Sequence, residues 1–404
     1  MYQNFEYYAP TKVLFGKDTE MQVGRLIREQ NCRKVLIHYG GKSAVRSGLL
    51  DRVKMSLDQN GISYVTLGGV VPNPHLGLVY EGIALCKKEN VDFILAVGGG
   101  SVIDSAKAIG YGVSNEGDVW DYFEGKRTAS ACLPIGVVLT IAAAGSEMSN
   151  GCVITNEKNG KKRAYDTDLC RAKFAVMNPE LTMTLPEYQT SSGAADILMH
   201  TMERYFNQQD NMDITDSISE ALMKTVMKYS RILVSEPQNY KARAEIMWAG
   251  SLSHNGLTGC GTGGGDWASH MMEHELGGMF DVAHGAGLAA LWGSWARYVS
   301  HAAPHRFEKF AVNVLGVKPQ ETILATIEKG IEAMEQFYHS IKMPTSLSEL
   351  GIHPTDEQIE RMAESCEQAG GGFVGCIVPL KKEDIVKIYK MALEQGAKND
   401  QVRS

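Results

Sequence analysis

Up to about residue 186 the chain alternates short β-rich runs with amphipathic stretches. The runs at 34–39, 62–67 and 92–97 read as strands, and each is followed by helical spacing, over 47–59, 76–90 and 102–112. Near-continuous apolar strands separated by helices predict a parallel sheet covered on both faces. Residues 133–140 read as a further buried strand and 152–165 as a hairpin turning at Asn159-Gly160. A last strand at 173–177 precedes Asn178-Pro179. After Leu185-Pro186 the strand signals nearly stop. Segments 214–234, 241–253, 307–315, 319–340 and 382–395 carry helical spacing with polar faces, as in a bundle. Glycine runs at 259–265 and 370–372 interrupt them. The pattern predicts an N-terminal α/β domain over residues 1–184 and an all-α C-terminal domain over 185–404.

Composition narrows what such a chain does. Its 404 residues leave ample interior for a buried site. The formal charge of −7, from 40 Lys+Arg against 47 Asp+Glu, comes without a block of like charges. That argues against nucleic acid or an anionic membrane as partner. No stretch approaches the roughly 20 apolar residues of a membrane span, and MYQNFEYYAP lacks the parts of a signal peptide. Eight scattered cysteines without a CxxC pair suggest reduced thiols in the cytoplasm, and disfavour zinc-finger and thioredoxin-type readings. The histidines are unevenly spread: five of eleven lie between His200 and His284.

Gly98-Gly99-Gly100-Ser101 follows the strongest strand and opens a helix. Glycines permit a tight turn and close backbone approach, while exposed N–H groups and the helix dipole favour an anion there. The pattern departs from GxGxxG, because position 103 is Ile. The same residues also read as a plain turn, with Ser101 and Asp104 as a capping box. A second turn, Gly40-Gly41-Lys42-Ser43, follows the first of these strands, and ligands of doubly wound sheets lie beyond the carboxyl ends of strands. A pyrophosphate on 98–101 would let the adenosine end of a dinucleotide reach 40–43. That turn has no acid to repel a 2′-phosphate and one lysine to attract it, which favours NADP(H) over NAD(H); the bland alternative is a loop with a solvated lysine. The first domain is thus expected to be a Rossmann-like dinucleotide-binding domain.

The second domain holds a different constellation. Asp196 and His200 stand at i and i+4 in a predicted helix, so both project from one face. His270 and His274 repeat the spacing, and Asp281-Val-Ala-His284 adds another candidate. One carboxylate with several imidazoles and no thiolate suits a divalent first-row ion: Fe²⁺, Mn²⁺, Ni²⁺ or Co²⁺, with Zn²⁺ also compatible. A single helical histidine is more often a core or surface residue, and His38, His75, His254, His301, His305, His339 and His353 are left in that class. His270-Met-Met-Glu273-His274 also matches H-x-x-E-H, a zinc-peptidase motif in which the two histidines bind Zn²⁺ and the glutamate is the base. Under that reading the glycine turn is only a turn.

With these motifs in order, the chain resembles the iron-containing (group III) alcohol dehydrogenase family, nearest its NADPH-using butanol dehydrogenase and aldehyde reductase branch. The resemblance rests on Gly98 to Lys107, Leu139-Thr140 followed by Gly145-Ser-Glu-Met148, Gly193 to His200, Asp266 to His274, and Ala283-His284-Gly285. It implies that Asp196, His200, His270 and His284 hold one divalent metal, Fe²⁺ first, and that His274 lies by the substrate as the catalytic proton relay. It implies a cofactor site of Gly41, Lys42, Ser43, Gly99, Gly100, Ser101, Asp104, Thr140, Ser146, Ser149 and Lys162. One departure stands out: the family's Pro-Ala-Thr or Pro-Thr-Thr is Ala142-Ala-Ala144 here, so a hydroxyl at 144 is absent. The implied reaction is hydride transfer between NADP(H) and a small primary alcohol or aldehyde such as butanol or butanal, in a cleft between the two halves of the chain, and the protein is expected to be a cytoplasmic homodimer. A zinc peptidase and a metal-dependent lyase or non-redox synthase are the alternatives.

Overall fold

The computed structural model describes residues 3–403. Tyr8–Leu185 form one compact unit; Pro186 onward, with the short segment ahead of Tyr8, forms the other. In chain order the first unit contains β1 (Lys12–Phe15), α1 (Val23–Arg28), β2 (Lys34–Tyr39), α2 (Ser43–Arg46), α3 (Leu49–Gln59), β3 (Ser63–Leu67), α4 (Leu76–Glu89) and β4 (Phe93–Gly98). It continues through α5 (Gly100–Ser114), α6 (Trp120–Phe123), β5 (Ile135–Leu139), β6 (Gly151–Asn156), β7 (Lys161–Asp166) and β8 (Phe174–Met177). Six strands make one parallel sheet in the order β1-β8-β5-β4-β2-β3, and β6 and β7 pair as a separate hairpin.

Every residue of β4, β5 and β8 is buried, as continuous apolar runs between two helical layers require. On one face Val23, Leu26 and Ile27 of α1 join Leu50, Val53 and Leu57 of α3 over Val35, Ile37, Leu95 and Val176 of the sheet. Chain order reverses around β2: β3 lies on one side of it and β4 on the other. Tyr39 pairs with Val97, so the turns that leave β2 and β4 start side by side at the switch point where such sheets bind ligands.

Several expected boundaries move, each for a local reason. The helix expected over 47–59 starts at Leu49, where Gly48 at φ +70° separates it from the short α2. The helix expected from 102 starts at Gly100, with extended Gly99 as its N-cap and no side-chain cap. Ser101 and Asp104 therefore do not form the capping box. The Asp104 carboxylate instead accepts the Val153 N–H of β6 at 3.0 Å. The expected 319–340 helix begins at Ile323, because the Thr322 hydroxyl caps Ala325. Strand β1 escapes the pattern reading: at four residues on the sheet edge it shows no clean alternation of burial.

The second unit is helical: α7 (Glu187–Tyr205), α8 (Asp213–Ser235), α9 (Tyr240–His254), α10 (Ala268–Phe280), α11 (His284–Val299), α12 (Pro304–Asn313), α13 (Ile323–Ser340), α14 (Asp356–Ala369) and α15 (Lys382–Arg403). Helix α11 is buried continuously from Gly285 to Ala296 and is apolar on all sides, as a central helix must be. Phe206 anchors the aromatic core, with Phe307 stacked at 4.4 Å and Phe310 edge-on at 5.1 Å between centroids. Among the described residues no helix is long and apolar enough to cross a membrane.

Candidate metal centre and cofactor turn

Three helices of the second unit converge on one point. Asp196 and His200 lie mid-way along α7, where their i, i+4 spacing puts them on one buried face. Two glycines bring the other helices in. A side chain on Gly265, at φ +81°, would strike the Glu203 carbonyl at 2.1 Å; without one, the Asp266 N–H reaches that carbonyl at 2.7 Å and α10 starts against the end of α7. A Cβ on Gly285 would lie 1.9 Å from the Ser192 carbonyl, so the first turn of α11, headed by His284, presses on α7 one turn before Asp196.

The ligand atoms follow. Candidate atoms of Asp196, His270 and His284 all lie within 4.8 Å of one another. Nε2 of His284 is 3.7 Å and Nε2 of His270 3.8 Å from Asp196 Oδ1. Those gaps are too long for hydrogen bonds, yet they allow the atoms to share one ion at about 2.0–2.2 Å each. Asp196 Oδ1 and His270 Nε2 are buried without a hydrogen-bond partner, so a cation suits the donor set. His200 adjoins the trio, with Nδ1 3.2 Å from Asp196 Oδ1 and its ring 4.5 Å from that of His270. His274 stands one turn along α10 from His270, its ring 5.8 Å from that of His284.

Burial would raise the pKa of Asp196, but His200, His284 and His270 pull it below the ordinary carboxylate value. Burial drives His200 well below its usual value, against the attraction of Asp196. His270 is also opposed by burial, yet Glu203 and Asp196 push it up to about 9.

Sequence reading did not place Glu203, Glu273, His254 or Arg204 at this cluster. Glu203 pairs with His270 Nδ1 and Glu273 with His284 Nδ1. His254 lies 4.0 Å from His200, ring to ring, and its Nδ1 faces Arg204 Nη2 at 3.1 Å. The Arg204 guanidinium also lies over the Trp267 ring at 4.6 Å. Glu203 stands seven residues after Asp196 on the same helix face, and Glu273 lies inside the H-x-x-E-H motif, but neither position announces which histidine it meets.

In the first unit, helix α5 opens on Gly100 directly after β4, so its unbonded first-turn N–H groups point beyond the sheet. The loop after β5 closes against that turn. Thr140 N–H donates to the Gly98 carbonyl at 3.0 Å, and a Cβ on Gly100 would meet Ser146 Oγ at 3.3 Å and the Ala144 methyl at 3.4 Å. Glycine therefore keeps open a cradle that any side chain would fill, which fits a phosphate.

Lys107 holds that loop in place. Its ammonium is fully buried and donates to the carbonyls of Ser146 at 2.8 Å, Ser149 at 3.1 Å and Gly151 at 2.7 Å. Ser149 and Asp104 thus act as internal struts, and burial pushes Asp104 up to about 6 against Lys107 and the Val153 N–H. Ser101 and Thr140 are partly open at the turn, and Lys162 is buried on β7 opposite Thr155. Gly41, Lys42 and Ser43 are exposed after β2, with nothing within 4 Å of a Cβ built on Gly41.

A parallel-sheet unit with a phosphate turn, joined in one chain to a helical unit with an Asp/His cluster, defines a metal-containing dehydrogenase class. The chain belongs to the iron-containing alcohol dehydrogenase family: residues 10–179 match iron-containing alcohol dehydrogenase, and residues 190–393 match the C-terminal part of the Fe-containing alcohol dehydrogenase family. It is 38% identical to NADH-dependent butanol dehydrogenase A of Clostridium acetobutylicum over 96% of this chain and 99% of that one. It is 34% identical to an NADPH-dependent aldehyde reductase of Escherichia coli over 86% of this chain and 89% of the other. The crystal structure of NADH-dependent butanol dehydrogenase A from Thermotoga maritima superimposes with a TM-score of 0.93 at 39% identity, covering 97% of this chain and 99% of that chain. The chain is thus an alcohol dehydrogenase of a family that uses NAD(P) and a divalent metal. The peptidase and lyase or synthase alternatives fall, and Glu273, the base of the peptidase motif, is engaged with His284.

Proposed function

We propose that the protein transfers hydride between NADP(H), in preference to NAD(H), and a small primary alcohol or aldehyde such as butanol or butanal. One divalent cation, Fe²⁺ ahead of Zn²⁺, Ni²⁺, Mn²⁺ or Co²⁺, would be held by Asp196, His200, His270 and His284. The observation that carries the reading is the convergence of Asp196 Oδ1 with Nε2 of His270 and His284 from three helices. When bound, the cation supplies Lewis acidity toward a carbonyl oxygen and the nicotinamide supplies or accepts hydride.

The residues do the rest. The first-turn N–H groups of α5 take the anionic pyrophosphate, and Lys107 keeps the 146–151 loop set against that turn. Gly41, Lys42 and Ser43 receive the 2′-phosphate: no carboxylate repels it, and Lys42 attracts it. His274 relays the proton to or from the substrate oxygen through water, a task suited to an imidazole. The relatives named above divide between NADH and NADPH, so the preference stands on the turn residues. Under the same reading the protein works as a cytoplasmic homodimer.

The test is metal analysis of protein purified without chelator, with NADPH and NADH oxidation assayed on a panel of short aldehydes. Stoichiometric metal and faster turnover with NADPH are expected. Turnover by metal-free protein would overturn the metal assignment, and faster turnover with NADH the cofactor assignment.

A further inference from the structure

The Glu273 of His270-x-x-Glu273-His274, and Glu203 beside it, have no place in a centre made only of Asp196 and three histidines. Yet both carboxylates are buried, Glu203 at 1% exposure and Glu273 at 0%. A buried anion is costly unless it is bonded to something that needs it. Each of these two faces the Nδ1 of a different proposed ligand, Glu203 that of His270 and Glu273 that of His284. Glu203 Oε1 also accepts the backbone N–H of His270 at 3.0 Å, one of the otherwise unbonded amides in the first turn of α10.

We propose that Glu203 and Glu273 are positioning residues that fix the tautomer and aim of His270 and His284, so that Nε2 of each is presented to the cation. An ionised carboxylate only accepts hydrogen bonds, so the proton of each ring sits on Nδ1 and the lone pair on Nε2. Those are the two nitrogens that lie 3.7–3.8 Å from Asp196 Oδ1. The carboxylates also link the three ligand-bearing helices in series. Glu203 ties α7, which carries Asp196, to α10; Glu273 ties α10 to the first residue of α11. A carboxylate behind a ligating imidazole makes it more basic as well as better aimed, and losing one typically costs 10–100-fold in metal affinity. This inference rests on the metal reading above and adds what sets the affinity of that site.

The experiment is a Co²⁺ titration of the chelator-stripped full-length protein, followed by visible absorption. Glu203→Ala and Glu273→Ala should each raise the Co²⁺ dissociation constant about 10–100-fold. Glu203→Gln and Glu273→Gln keep an oxygen that accepts the Nδ1–H and should recover most of that loss. NADPH affinity, a property of the other unit, should stay within about twofold, and that separates positioning from general unfolding. Alanine variants that bind Co²⁺ as tightly as wild type with the same spectrum would overturn the proposal. Should the variants fail to fold, the histidine-ring ¹⁵N spectrum of the wild-type Zn²⁺ form decides: His270 and His284 are expected as Nδ1–H tautomers, and an Nε2–H tautomer at either contradicts it. Wild-type protein that binds neither ion would overturn the metal reading itself.

Discussion

His274 and His270 share a helix and a residue type, but the structure gives them different surroundings. His270 is bracketed by Glu203 and directed at Asp196, while His274 lies outside the Asp196 trio. His274→Ala is therefore expected to keep stoichiometric metal while slowing turnover about 10²-fold or more, the usual contribution of a positioned acid–base group. Loss of the metal from that variant would show that the ligands are misassigned. Gly41 carries a separate expectation. At an effective dielectric of about 20, a carboxylate within about 8 Å of a 2′-phosphate would cost about 2 kcal/mol per unit charge, or roughly 30-fold. Gly41→Asp should raise KM for NADPH by that order and leave KM for NADH nearly unchanged; an unaltered ratio would remove this turn from cofactor choice.

What could be read in the sequence follows from how local each signal is. Asp196 and His200 announce a shared face through i, i+4 spacing, and the apolar run Phe93–Val97 announces a buried strand. Glu203 and Glu273 carry no comparable signal as partners of histidines. Their pairings join residues 67 and 11 positions apart and depend on α10 and α11 meeting α7 at Gly265 and Gly285. Lys107 was visible as a letter in a motif, but a lysine inside a helix normally suggests a solvated face. Its burial against three carbonyls depends on a loop some 40 residues away. The capping box failed because Gly99 already provides the extended N-cap, which leaves Asp104 to anchor β6.

Strand β2 and helix α5 are joined by His38, which is fully buried. Its Nδ1–H donates to the Leu67 carbonyl of β3 at 2.9 Å, and its Nε2 accepts from the Ser105 hydroxyl of α5 at 2.8 Å. The Nε2 bond needs the neutral ring, and burial lowers its pKa to about 4, against the Leu67 bond, which the charged ring also makes. The folded value lies below the unfolded one of about 6.5, so the unfolded chain takes up the proton first as pH falls. Stability from this group is complete above pH 6.5 and is lost between about 6.5 and 4, by roughly 2 kcal/mol at pH 5. Urea unfolding at pH 7.5 and 5 should show His38→Gln losing less stability between those values than wild type by about that amount. Equal losses would show that His38 is not held neutral.

Asp196, Glu203 and Glu273 place three buried carboxylates around a few imidazoles, so the dication proposed there would offset their charge in the helical unit. A ligand bound only by the folded state stabilises it by about 2.7 kcal/mol at a hundredfold excess over Kd. Chelator-stripped protein should therefore melt several degrees lower and recover when Fe²⁺ or Co²⁺ is restored under reducing conditions. Asp196→Ala should lose both the metal and the recovery while NADPH affinity persists. Identical melting with and without the ion would mean that no cation is part of the folded state.

The decisive measurement is an anomalous difference map, at the absorption edge of the metal found, from crystals of the protein grown without chelator. A single peak at about 2.0–2.2 Å from Asp196 Oδ1 and from one ring nitrogen each of His200, His270 and His284 is the expected result. A peak bound elsewhere, or coordinates of metal-loaded protein in which those four side chains share no atom, would contradict it.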